Sequence, residues 1–164
     1  KAVSLADFKG KTVVLEWVNP GCPYVRKHYD SANMQATQKG AAGQGVVWLA
    51  VNSTTQEHYD YKKPADMAAW MQSQKAAATH TLMDSDGKIG KAYGARTTPH
   101  MYVVDAKGTL AYAGGIDDKP SSNPADVKTA KNYVNAALGD LQAGKPVAQA
   151  TTRPYGCSVK YSDG

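Results

Sequence analysis

Two β-branched apolar runs of strand length, "KTVVLEWV" (residues 11–18) and "GVVWLAVNS" (45–53), separated by a helix-compatible stretch, constrain the fold of this chain more than any other feature. Neither run alternates between apolar and polar residues, so both suit strands covered on their two faces, as in a central sheet flanked by helices. Between them, Pro23 fits the first turn of a helix that runs to about Gly40, where Gly40 and Gly43 stop it. Strand, helix and parallel strand make a βαβ unit, for which a right-handed crossover is expected.

The stretch "TTQEHYDYKKP" (54–64) is polar and rich in tyrosine. Pro64 then opens "ADMAAWMQSQKAAA", where Met67, Trp70 and Met71 share one helical face and read as core packing. "HTLMD" (80–84) is a short strand, "SDGKIGKAYGA" a turn and short helix, and "HMYVVDAKGTLAYAGG" (100–115) a hairpin around Lys107 and Gly108. "SSNPADVKTAKNYVNAALGDLQAG" (121–144) reads as one last helix with Asn123 as its N-cap, Pro124 at the first helical position and Gly144 as its terminator. Beyond it, "KPVAQATTRPYGCSVKYSDG" has neither helical nor alternating periodicity, and its prolines predict an extended tail lying on the domain. The organisation expected is therefore one domain over residues 1–144 and a tail over residues 145–164.

A chain of 164 residues can bury a core without metal or disulfide staples, and no apolar run approaches the roughly 20 residues needed to cross a bilayer. The net charge of +5 comes from lysines spread along the chain, without a basic stripe interleaved with aromatics, so nucleic acid is not an expected partner. Two cysteines, Cys22 and Cys157, are too few for a disulfide scaffold, and their spacing excludes a zinc-finger framework. They leave a redox pair, one reactive thiol, or two inert thiols. A Cys-x-x-Val site with His28, His58, His80 and His100 scattered elsewhere is a poor copper site, and no metal or cofactor is called for. The chain opens at Lys1 without a charged-then-apolar signal segment, so a processed or trimmed chain is expected.

Cys22 stands directly before Pro23, where the unpaired N–H groups and positive end of a helix favour a thiolate over a thiol. It also stands where a strand ends, the place at which α/β sheets set their sites. Both positions argue for a reactive thiol over a small buried hydrophobe. Arg26, Lys27 and His28 follow in the first turns of the helix, either adding to the positive field or forming a solvated polar face.

The stretches "SLADFKGKTVVLEWVNPGCPYVRK" and "YGARTTPHMYVVDAKGTLAYAG" resemble the thioredoxin-like redoxins of the peroxiredoxin-related group, the alkyl hydroperoxide reductase and thiol-specific antioxidant proteins, over roughly residues 1–142. The resemblance implies an α/β fold, a thioredoxin-like three-layer sandwich with a central mixed sheet flanked by helices, whose usual first strand is absent ahead of "KAVSLADF". It implies Cys22 as the nucleophile, a cis bond at Thr98-Pro99 facing it, and a hydrophobic residue at the place of Trp17 that either covers the thiol or packs in the core; of the histidines, His100, beside Pro99, then stands nearest the thiol, with a surface role as its alternative. Two departures bear on function. In "CPYV" the second cysteine of Cys-x-x-Cys is replaced by Val25. The proline and the threonine or serine of a typical peroxiredoxin loop are replaced by Leu15 and Asn19, and Pro99 stands where its arginine falls, with Arg96 the nearest substitute. "CPYVRK" with a distant "GCSVKY" is similar to a subgroup whose C-terminal segment carries the second thiol, which implies Cys157 as the resolving cysteine. The segment from Gly144 to Cys157 reaches up to roughly 43 Å when extended, against a domain radius of gyration of about 15 Å, so the chain length permits the pairing.

The implied function is a thiol-dependent, peroxiredoxin-like oxidoreductase acting on a peroxide or on a protein or small-molecule disulfide, with a thioredoxin-type reductant and no cofactor. Two alternatives stand beside it: a thiol-disulfide exchange protein without peroxidase activity, and a non-catalytic thioredoxin-fold binding module. The resemblance favours a periplasmic or extracytoplasmic location over a cytoplasmic one, and the sequence leaves the oligomeric state open.

Overall fold

The computed structural model describes residues 2–162. Along the chain, β1 (Val13–Trp17) leads to α1 (Pro23–Asp30), α2 (Asn33–Gly43), β2 (Val47–Asn52), α3 (Pro64–Ser73), β3 (His80–Met83) and α4 (Lys88–Tyr93). There follow β4 (Thr97–Thr98), β5 (His100–Val104), β6 (Leu110–Gly114), α5 (Tyr133–Gln142) and β7 (Cys157–Ser158). Five strands form one mixed sheet in the order β3-β2-β1-β5-β6, and β4 pairs with β7 in a separate two-stranded ribbon. β1, β2 and β3 run parallel, whereas β5 is antiparallel to β1 and to β6.

All residues of β1, β2 and β5 are buried, as their predominantly apolar runs require when both sheet faces are covered. Period-two alternation divides them between two layers. On one face Val14, Trp48, Ala50, Met101 and Val103 pack against Val25 and Tyr29 of α1, Met34 of α2, Met67 of α3 and Leu138 of α5. On the other, Val13, Leu15, Trp17, Leu49, Val51 and Tyr102 meet Phe8, Tyr93 of α4, Ala95 and the tail residues Val159 and Tyr161. Each fully buried aliphatic or aromatic side chain of this kind contributes roughly 1.5–3 kcal/mol. The result is a three-layer α/β sandwich of the thioredoxin-like type.

Two helices differ from the sequence expectation. The single helix from Pro23 to about Gly40 is two helices, broken at Ser31 and Ala32, with Ala32 left-handed at φ 63°. Local side chains compete with the helical ladder there: the Ser31 hydroxyl donates to the His28 carbonyl, and Gln35 donates to the Tyr29 carbonyl. Gly40 lies inside α2, which ends at Gly43. The expected helix over residues 121–144 is a 3-10 turn at Pro124–Lys128 followed by α5. Asn123 caps the turn and Asn132, accepting from the Asn135 amide, caps α5. Tertiary pairing breaks the segment, since the Lys131 amide donates to Asp118 and the Tyr133 amide to the Ile116 carbonyl.

The tail runs along the molecule. The Ala113 amide of β6 donates to the Ala150 carbonyl and the Thr152 amide donates back to the Ala113 carbonyl, while the Thr152 hydroxyl accepts from the Gly115 amide at 3.0 Å. A side chain at Gly114 would run into Thr152. From there the tail crosses to β4, where β7 pairs antiparallel with Thr98 opposite Cys157.

Candidate active site

Cys22 is the N-cap of α1, with extended backbone ahead of Pro23 at the first helical position. A tight turn holds it. The Cys22 amide donates to the Asn19 carbonyl, and Asn19 accepts from the Gly21 amide while donating to Asp60 at 3.0 Å. Gly21 lies against the Asp60 carboxylate with no room for a Cβ, so the turn requires glycine. The Cys22 thiol donates to the Thr98 carbonyl at 3.3 Å, and the sulfur residue is 1 % exposed.

The Thr98-Pro99 bond is cis, and both residues are buried. The Thr98 hydroxyl is buried without a hydrogen-bond partner. Register β4 to β7 sets Cys157 opposite Thr98, the residue whose carbonyl accepts from the Cys22 thiol. Both cysteines are free thiols. Burial, then the nearby Cys22, push the Cys157 thiol up to about 11, against the pull of Lys160 and the Tyr24 backbone N–H. Gly156, just ahead of it, has φ 139°, and a Cβ there would collide with the Thr98 carbonyl oxygen. The tail therefore reaches the thiol at a distance only glycine permits. Val25, where a local second cysteine stands in Cys-x-x-Cys, is fully buried among the apolar side chains of the core.

Arg96 is exposed. Its amide donates to His100, its carbonyl accepts from Val159 in the tail, and its charge helps lower the pKa of His100. His100 faces the opposite layer from Cys22, stacked on Tyr102, with burial first and Arg96 second holding it down to about 4. Trp17 lies in that same layer against Tyr93 and Tyr102, donating to Ser53, and so packs the core away from the thiol.

The polar face of α1 is not solvated. Arg26 is exposed, but Lys27 and His28 are 1 % and 0 % exposed. Both meet one atom, the hydroxyl of the tail residue Tyr155: it accepts from Lys27 Nζ at 3.0 Å, lies 3.0 Å from His28 Nε2, and donates to Asp117 at 2.6 Å. With that hydroxyl committed to Asp117, His28 carries its proton on Nε2, and Asn33 donates to its Nδ1. Burial, then Lys27, lower the His28 pKa to about 3. Burial also lowers Lys27, while Asp117 and Asp126 oppose the shift. Lys27 lies 4.9 Å over the Tyr155 ring, which packs edge-on against Tyr24. Beside this cluster is a groove of about 660 Å³, lined by Thr97, Asp117, Tyr133, Arg153, Tyr155 and Gly156.

Glu16 is a second polar feature that the apolar run around it conceals. It is 0 % exposed in β1, and its carboxylate accepts from Tyr29, Gln38 and Trp48. Burial raises it to about 7 from an ordinary 4.5, with those three hydrogen bonds acting the other way. The sequence signal was present in "VVLEWV", an acid flanked on both sides by residues that demand burial. Among the described residues no group of three or more His, Cys, Asp or Glu side chains could hold a metal ion, and no helix is long and apolar enough to cross a membrane.

The AhpC/TSA family profile matches residues 1–113. An uncharacterized conserved protein of Geobacillus kaustophilus is 26 % identical, with a TM-score of 0.82, over 99 % of this chain and 84 % of that one. The thioredoxin domain of a Bacteroides vulgatus thiol-disulfide oxidoreductase is 21 % identical, with a TM-score of 0.55, over 79 % of this chain and 85 % of that one. A secreted disulfide oxidoreductase of Mycobacterium tuberculosis is 22 % identical, with a TM-score of 0.50, over 66 % of this chain and 72 % of that one. No curated protein matches the chain.

Proposed function

This chain belongs to the AhpC/TSA family of thioredoxin-like redoxins, and on that premise we propose that it is a thiol-dependent oxidoreductase in which Cys22 is the nucleophile and Cys157 the resolving thiol. The observation that carries the reading is the β4–β7 pairing, which brings Cys157 to Thr98 while the Cys22 thiol touches the Thr98 carbonyl.

In the first step the Cys22 thiolate attacks one oxygen of a hydroperoxide; the O–O bond breaks, the leaving alkoxide or hydroxide takes a proton, and Cys22 becomes a sulfenic acid. The attacking sulfur stands at the N-cap of α1, ahead of Pro23. Thr98, whose hydroxyl has no other partner, is the group left to donate to the oxygen, and cis Pro99 holds the Thr98 carbonyl against the thiol. In the second step Cys157 attacks the sulfenic sulfur, a disulfide forms and water leaves. A thioredoxin-type dithiol then attacks the sulfur of Cys157, the less buried of the two, returns two electrons by thiol-disulfide exchange and is itself oxidised to a disulfide. Arg96 serves this scheme through its backbone, which holds the strand carrying Cys157.

Residues 1–144 form the thioredoxin-like domain in this proposal, and residues 145–164 the tail that delivers the second thiol. An extracytoplasmic location belongs to it as well, supported by the secreted M. tuberculosis protein of like fold.

A second reading, thiol-disulfide exchange without peroxidase activity, is favoured by Asn19. That residue stands where a peroxiredoxin loop has its threonine or serine, and both ends of its side chain are engaged in holding the turn. Peroxide consumption by the reduced protein decides between the two. The peroxidase reading expects a rapid burst that Cys22→Ser abolishes; consumption no faster than that of free cysteine leaves the exchange reading.

A further inference from the structure

Cys22 is 1 % exposed although it caps a helix at the end of a strand, a position that usually opens to solvent. The tail lies over it, pinned on both sides of Cys157. Upstream, Thr152 bonds Tyr112 and the Gly115 amide, and the Tyr155 hydroxyl joins Lys27, His28 and Asp117. Downstream, the Val159 amide donates to Arg96, the Thr55 amide to Lys160, and the Tyr161 hydroxyl to the Ala95 carbonyl at 2.7 Å. A segment tied this way opens only when several of those bonds break together.

The backbone edge nearest the thiol is Thr97–Thr98, and β7 already occupies it. A polypeptide bringing a disulfide to Cys22 in extended form needs that edge, because strand addition is how an extended chain docks on exposed backbone. Small molecules do not. The groove beside β7 reaches Thr97 and Gly156, the chain neighbours of Thr98 and Cys157, and its volume of about 660 Å³ is in the range that holds a small ligand.

The geometry points to the C-terminal strap as a size filter on Cys22, with the Tyr155 hydroxyl as its principal pin: it admits low-molecular-mass hydroperoxides through the groove and excludes polypeptide disulfides. This substrate class rests on the oxidoreductase reading above; the filter itself does not. Tyr155 is a positioning residue here, since it acts through the strap and not on the reacting atoms.

The test is alkylation, which needs no oxidant. In a Cys157→Ser background Cys22 is the remaining thiol, and its labelling by N-ethylmaleimide is compared with that by a maleimide carrying a long polyethylene glycol chain, each normalised to the unfolded protein. The small reagent is expected to label at least about tenfold faster, a preference set by the free energy of strap opening. Adding Tyr155→Phe, which deletes only the shared hydroxyl, is expected to bring the ratio toward one. Thr152→Ala, at the independent upstream anchor, does the same should the phenylalanine variant fold poorly. Equal rates with the strap intact, no labelling by either reagent, or a ratio unmoved in both variants overturns the filter. A protein that discriminates by size yet forms no disulfide on treatment with hydroperoxide keeps the filter and loses the oxidoreductase reading.

Discussion

The polar cluster around Glu16 and the one around the Tyr155 hydroxyl are both enclosed by protein, but different parts of the chain close them. Glu16, Tyr29, Gln38 and Trp48 all come from the first βαβ unit, which supplies every hydrogen bond to the Glu16 carboxylate described above. Lys27, His28 and Asp117 come from the domain and are completed by a residue of the tail. The first cluster carries one ionisable acid that can take a proton when its charge is too costly. The second holds a buried cation and a buried anion bridged by one hydroxyl, so its satisfaction depends on the tail being in place. A tail held by the domain's own buried charges is a structural part of the candidate site, and this explains how a thiol so remote in sequence is kept near Cys22.

The strongest way to break this contrast is Tyr155→Ala. It removes the ring and leaves Lys27 and Asp117 short of a shared partner, for an expected loss of about 3–5 kcal/mol. Chemical denaturation measures the loss, and a variant within experimental scatter of the wild type would mean the tail is not held by these charges.

Glu16→Gln sharpens the other half of the comparison. The folded carboxyl titrates at about 7, raised from 4.5 by burial. Between those values the folded protein keeps a proton that the unfolded chain has released, so stability falls as pH rises through this window and levels off above it. A shift of that size corresponds to ~3 kcal/mol. The glutamine variant is expected to lack that decline, so its stability relative to the wild type rises by that order across the window. Denaturation at a series of pH values reads the difference directly, and a difference that stays flat with pH would place the titration elsewhere.

Cys22 was legible as a candidate from its place at a strand end before a helix-opening proline, whereas Thr98, Pro99 and Cys157 became candidates through the resemblance of their stretches to the redoxin family. The sheet was legible because β1, β2 and β5 carry apolar residues at successive positions, with Glu16, Asn52 and His100 as the exceptions, a pattern that burial on both faces explains. The rest depended on contacts between distant segments. Lys27 and His28 carry the chemistry of a solvated helix face, and only the arrival of Tyr155 from 128 and 127 positions away makes them interior residues. Likewise the break at Ser31 and Ala32 and the late start of α5 arise from particular hydrogen bonds, which helix propensity does not encode. Val25 was visible as a missing cysteine, but its role as a core side chain follows from the packing.

The central claim is that Cys22 and Cys157 are one redox unit. Reduced protein treated with one equivalent of hydroperoxide, digested without reduction and mapped by mass spectrometry, is expected to yield a single disulfide-linked peptide pair containing Cys22 and Cys157, absent in either Cys→Ser variant. Recovery of Cys22 as a sulfenic or sulfinic acid beside an unmodified Cys157 would contradict the account.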